Sequence, residues 1–145
     1  MKLDRWIQAG QFSLDLPESW LVSETEDCTE IIPSAEDAAI HVSVYKRTLL
    51  EPPSFKDAIS LIENFSDKND LCQNANLKHR SSAHGYTCTG FFSGSGEASE
   101  PLFWVVKSIA GKKIAVLATL CSDNTEAQTY KEGLSILGSL TLEEI

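Results

Sequence analysis

An α+β fold with a mainly antiparallel sheet is predicted by three features of the sequence. Short runs alternate apolar and polar residues with the period of two that a half-buried strand requires. Gly and Pro punctuate these runs closely enough for hairpins. Two stretches instead repeat their apolar residues at helical spacing, each after a block of strands. The predicted order is ββββ-α-ββββ-α, in one domain over residues 1–145.

The first strand is read at 12–16, Phe-Ser-Leu-Asp-Leu, where apolar and polar residues alternate. Pro17 turns the chain, and Trp20-Leu21-Val22 begins the second strand. The third spans 28–32 and is closed by Pro33. The fourth spans 38–46, with Ile40, Val42 and Val44 on one face and His41, Ser43 and Tyr45 on the other. Pro52-Pro53 ends this block. Ser54 with Asp57 forms a capping signature for a helix over 54–67, whose apolar stripe is Phe55, Ile59, Ile62 and Leu61 with Phe65.

The second block begins with a strand at 76–83. Strands at 86–93 and 101–109 flank Gly94-Ser95-Gly96, which predicts a hairpin with a long loop. A turn at 110–113 leads into 114–121, Ile-Ala-Val-Leu-Ala-Thr-Leu-Cys. That run is almost wholly apolar, so both its faces are covered and it belongs near the sheet centre. Asp123 and Glu126 predict a second N-cap, and Ala127, Tyr130, Leu134 and Leu137 predict a helix over 124–138 with Gly138 as its C-cap.

The charge is unevenly spread. The formal net charge is −9, and between Asp15 and Asp37 there are eight acidic residues and no Lys or Arg. Such a surface repels phosphate backbones and anionic membranes, so neither nucleic acid nor membrane insertion is expected. The N-terminal residues lack the apolar stretch of a signal peptide, and no run reaches the ~18 apolar residues of a membrane span. The expected compartment is the cytoplasm, with Cys28, Cys72, Cys88 and Cys121 reduced.

Candidate chemistry fails position by position. His41, His79 and His84 do not have the spacing of a zinc motif, and no cofactor fingerprint is present, so no metal or cofactor is expected. Cys88 reads as a small core residue. Cys121 has a competing reading, because it closely precedes the second helix and a helix N-terminus lowers a thiol pKa. Gly94-Ser95-Gly96 joins two strands and carries Glu97 and Glu100 nearby, unlike a phosphate loop. No catalytic residue is assigned. Aromatic residues remain: if one sheet face lacks a helix, an exposed aromatic patch results.

The segment Phe12-Ser13-Leu14-Asp15-Leu16-Pro17-Glu18-Ser19-Trp20 resembles the strand and Leu-Pro-x-x-Trp opening of the Mog1/PsbP/DcrB-like superfamily. Residues 54–67 resemble its middle helix, and 113–138 its closing strand and helix. The resemblance implies an N-terminal β meander, a helix, a larger antiparallel block and a final helix. It also implies action by protein contact, since members include a Ran-binding nuclear protein, a photosystem II extrinsic subunit, a bacterial envelope lipoprotein and adaptors of secretion effectors.

The leading expectation is therefore a non-catalytic protein-interaction domain, such as a cytosolic adaptor or chaperone for another bacterial protein. Its expected contact face holds Tyr45, Phe103 and Trp104, with Trp20 nearby. One rival is a small-ligand domain with a pocket lined by those aromatics. The other is a thiol-dependent enzyme using Cys88 or Cys121, which requires a histidine within reach of the sulfur.

Overall fold

The computed structural model describes residues 3–47, 51–82 and 85–143. Five strands precede the first helix: β1 (Leu3–Gln8), β2 (Phe12–Pro17), β3 (Trp20–Glu24), β4 (Thr29–Pro33) and β5 (Ala38–Lys46). Helix α1 (Phe55–Lys68) follows, then β6 (Cys72–Gln73), β7 (Lys78–Ser82), β8 (Gly85–Ser95), β9 (Pro101–Ala110) and β10 (Ile114–Ser122). Helix α2 (Gln128–Ser139) and a short β11 (Thr141–Leu142) end the described chain. The α+β class and the placement of both helices agree with the sequence reading, but the strands are more numerous.

The large sheet runs β3-β4-β5-β10-β9-β8-β6, with β7 also paired to β8. Every described pairing is antiparallel. Strand β10 lies centrally between β5 and β9, as its apolar run requires. A second sheet of three strands, β1-β2-β11, joins α2 on one face of the large sheet. We call this face inward.

The inward core contains Phe12, Leu14, Ile31, Ile40, Val116, Leu120 and Ile136, all fully buried. Alternation explains its composition: Ile40 and Val42 of β5, with Val116, Ala118 and Leu120 of β10, point the same way. The opposite, outward face packs on α1 through Ala58 and Ile62 against Cys88, Phe92, Val106 and Leu117. Inside this layer the buried Ser108 hydroxyl donates to the Ala58 carbonyl at 2.6 Å.

Helix α1 starts as its sequence predicts. The Ser54 N–H donates to Asp57 Oδ2 at 3.0 Å, satisfying a donor that the helix itself leaves open. Arg47 joins this end to the sheet, donating to Asp57 Oδ2 at 3.1 Å and to the Gly111 carbonyl at 2.8 Å.

Helix α2 departs from its predicted ends. Its N-cap is Ala127, without a side-chain cap, and Asp123 and Glu126 lie outside the helix. The local polar groups form a turn instead: the Asn124 N–H donates to Ser122 Oγ at 3.2 Å, and the Glu126 N–H to Asn124 Oδ1 at 2.9 Å. Gly138 lies within the helix, and Leu140 is the C-cap. Close packing sets the position of α2 at Gly133, where a Cβ would stand 2.7 Å from Leu120 Cδ1.

Three strands were not expected. In β1 only Trp6 and Gln8 are partly covered, so little alternation marks it. The turn that pairs it to β2 is visible in Gly10, whose φ of 76° suits glycine. Strands β6 and β11 have two residues each, too few to show a period. Of the strand expected over 76–83, residue 83 lies outside the described residues.

Candidate functional site

The four expected contact residues do not share a face. Trp20 is 2% exposed, lies in the inward core, and donates its indole N–H to Glu132 Oε1 at 3.2 Å. It is a core anchor, not a contact residue. Pro17, expected to turn the chain, is the last residue of β2, and the turn falls at residues 18 and 19; the burial of Trp20 follows from α2, which the local sequence does not show. Phe103 is half-buried and lies two residues from Val105 on the same face, the inward one, opposite to Trp104. Trp104 points outward and is half-buried, edge-on to Phe65 of α1 with centroids 5.6 Å apart. Tyr45 alone is openly exposed, at 45%.

Tyr45 belongs to a surface that the sequence reading did not assemble. Helix α1 packs over β8, β9 and part of β10, and among the described residues no helix covers the outward face of β3, β4 and β5. A row of side chains crosses this open half. Leu21 stands opposite Ile32, and Cys121 stands opposite Ala39 on one side and Trp104 on the other. Leu21 is 70% exposed. Ile32, Ala39 and Cys121 are half-buried. The pairing of β3 with β4 is what brings Leu21 to the patch. Leu21 follows Trp20 in the sequence and must point opposite to it, which is the signal that could have identified it.

Beside this row, where α1 ends against β5 and β10, lies a cleft of about 510 Å³. Tyr45, Phe65 and Leu61 form apolar walls, and His41, Ser43 and Thr119 supply polar groups. His41 Nε2 is 3.0 Å from Glu30 Oε2 on the same open face. Acidic residues flank the patch at both ends of β4: Glu24, Glu26 and Asp27 towards the β3–β4 turn, and Glu36 and Asp37 towards the β4–β5 turn.

Neither candidate thiol is activated. Cys121 is pushed up to about 11, first by burial and then by Asp123. It also lies well before α2, which starts at Gln128, so no helix terminus lowers it. Cys88 is fully buried, and burial followed by the Glu63 carboxylate raises its pKa. His79 stands opposite Cys88 in the β7–β8 register, but its ring packs edge-on to Phe55 at 5.4 Å. Among the described residues no cysteine and histidine are hydrogen-bonded, and no three His, Cys, Asp or Glu residues are grouped to hold a metal. His84 lies outside the described residues. The Gly94-Ser95-Gly96 segment is a hairpin end, closed by Gly96 N–H to the Glu100 carbonyl at 2.8 Å. Among the described residues no helix is long and apolar enough to cross a membrane.

No family model and no curated protein matches the sequence. Solved structures do match. A cyanobacterial PsbP (CyanoP) from Synechocystis superposes with a TM-score of 0.69 at 12% identity, over 97% of this chain and 92% of that one. LpqN of Mycobacterium tuberculosis, described as involved in cell envelope biogenesis, gives 0.66 at 12%, over 90% and 82%. A Bacteroides thetaiotaomicron protein gives 0.66 at 15%; 97% of this chain is covered, but it spans only 48% of that one. Identities this low establish architecture alone. The chain has the Mog1/PsbP-like fold.

Proposed function

We propose that this chain is a non-catalytic protein-interaction domain whose contact surface is the open half of the outward face. The observation that carries the reading is the uncovered row from Leu21 to Cys121, with Leu21 70% and Tyr45 45% exposed. Leu21 and Tyr45 mark the two ends of this open face, six β5 positions apart, and apolar side chains exposed on a rigid sheet are what a protein partner can bury. The acidic residues at both ends of β4 define the partner further: an apolar centre with a basic rim. A cytosolic adaptor or chaperone for another bacterial protein fits this reading. The four free thiols accord with a reducing compartment.

Affinity purification from the native host tests the proposal. Wild-type protein is expected to retain one stoichiometric partner. Leu21→Asp with Tyr45→Ser is expected to lose it while unfolding at an unchanged urea midpoint. Absence of any stoichiometric partner, or its retention by the double variant, overturns the reading.

A second reading is favoured by the cleft beside Tyr45, whose volume of about 510 Å³ lies within the range of small-ligand sites. A ligand there would bridge Tyr45 and Phe65 while accepting or donating hydrogen bonds at Ser43 and Thr119. Leu61→Trp, which fills the cleft without touching Leu21, separates the two readings: it blocks a small ligand and spares a protein partner.

A further inference from the structure

The inward face carries a second concave surface, far from the open patch in the layer order. It lies between the β7–β8–β9 part of the large sheet and the C-terminal half of α2, with a volume of about 700 Å³. Its floor is apolar: Phe91, Val105, Leu134, Leu137 and Leu140 line it. Its polar wall is cationic. Lys78, Arg80 and Lys107 all line it, and among the described residues no Asp or Glu does.

The strand register explains the convergence. Lys78 and Arg80 are two residues apart on β7, so both point to one face. Lys78 stands opposite Thr89, and Thr89 stands opposite Lys107 on the next strand. The two ammonium groups therefore flank one threonine in a single cross-strand row. Arg80 stands opposite Thr87 in the adjacent row.

This grouping opposes the character of the chain, which carries 21 acidic and 12 basic residues. The ion pairs of the described residues lie elsewhere, at Arg5–Asp15, His41–Glu30 and Arg47–Asp57. Lys107 has a structural task, donating to the Leu137 carbonyl at 2.6 Å at the end of α2. That task accounts for Lys107 alone. Lys78 lies over the Phe91 ring at 5.5 Å, and Arg80 has no acidic partner among the described residues. Three like charges around an apolar hollow repel one another, and an anion seated among them would remove that repulsion. The Lys107 ammonium is lowered to about 8, first by its burial and then by the neighbouring Arg80.

We propose that this cavity binds a single-chain anionic amphiphile, its carboxylate or phosphate held by Lys78, Arg80 and Lys107 and its apolar body laid along Phe91, Leu134 and Leu137. The site lies on the opposite face of the sheet from the protein-contact surface and does not depend on it. Both the head and the chain are required, since the cations select charge and the floor selects apolar area.

Calorimetric titration of the full chain with decanoate, decyl phosphate, decanol and inorganic phosphate tests this. Decanoate and decyl phosphate are expected to bind, with decanol and inorganic phosphate each at least about tenfold weaker. Arg80→Gln and Lys78→Gln, both on an exposed strand and so compatible with folding, are each expected to weaken decanoate by about tenfold. Methyl shifts at Leu134 and Leu137 should report the chain. Equal binding of decanol overturns the anion requirement, and equal binding of inorganic phosphate overturns the apolar one. Unchanged affinity in both variants, or no binding of either decyl anion, overturns the site. Capture by phosphatidylglycerol vesicles without binding of free decanoate also overturns it, in favour of a membrane surface.

Discussion

The inward and outward faces of the large sheet are finished differently. Inward, the β1-β2-β11 sheet and α2 together cover strands from β3 to β9, and the core reaches continuously from Trp20 to Ile109. Outward, α1 covers the β8–β10 side through Ile62, Phe92 and Val106, and the β3–β5 side has no covering helix among the described residues. The same strands supply both faces. What differs is how much of each face another element removes from water. The larger core is thus inward, and the half of the sheet left without a covering helix among the described residues is outward.

Mutations should separate the two. Leu120 is fully buried between β10 and α2. Leu120→Ala is expected to cost roughly 2–5 kcal/mol in urea unfolding, since it loses transfer energy and leaves a cavity. Leu21→Ala, on the open half, is expected to change stability by less than about 0.5 kcal/mol. Comparable losses at the two positions would break the contrast.

Two glycines of α2 sharpen it on one helix. At Gly133 an added Cβ meets Leu120 Cδ1 at 2.7 Å and Cδ2 at 2.8 Å, whereas at Gly138 it meets nothing within 4 Å. Gly133→Ala is expected to destabilise by about 1–3 kcal/mol through overpacking. Gly138→Ala is expected to stabilise by roughly 0.5–1 kcal/mol, because alanine lowers the helix entropy cost. Thermal unfolding of the pair checks both signs.

The link between α1 and the sheet is more modest. Ser108→Ala removes the 2.6 Å bond to the Ala58 carbonyl, and an expected loss of about 1 kcal/mol follows. Lys107 adds a pH-dependent effect of similar size. Its pKa falls from 10.5 to about 8 on folding, through burial and then Arg80. Above about 8 the folded chain releases this proton while the unfolded chain still holds it, so this group makes stability rise with pH towards 10.5. The raised thiols of Cys88 and Cys121 oppose it, because the unfolded thiols ionise first. The difference between wild type and Lys107→Met isolates the lysine. Between pH 8 and 9 wild type is expected to gain on the variant by under about 1 kcal/mol.

Much of this layout is legible in local sequence. The alternation of β5, the unbroken apolar run of β10 and the Ser54–Asp57 cap each have a short-range cause, and each appears where expected. The end of α2 does not, because Ser122 and Asn124 use the local donors first. The candidate surface was only partly legible. Tyr45 is exposed, but Trp20 is held by Glu132 of α2, distant in sequence. Leu21, the most exposed member, depends on a strand pairing and on where α1 stops. The cationic wall of the inward cavity likewise needs the β7–β8–β9 register before Lys78 and Lys107 become neighbours.

The most direct test of the contact surface is photo-crosslinking in the native host, with a photoreactive amino acid placed at Leu21 and, separately, at Ile7. Both positions are exposed and apolar, at 70% and 58%, but Ile7 lies on the small sheet. One discrete adduct is expected from position 21, abolished by Tyr45→Ser, and none from position 7. No adduct at position 21, or the same adducts from both positions, would rule out the open half as the contact surface.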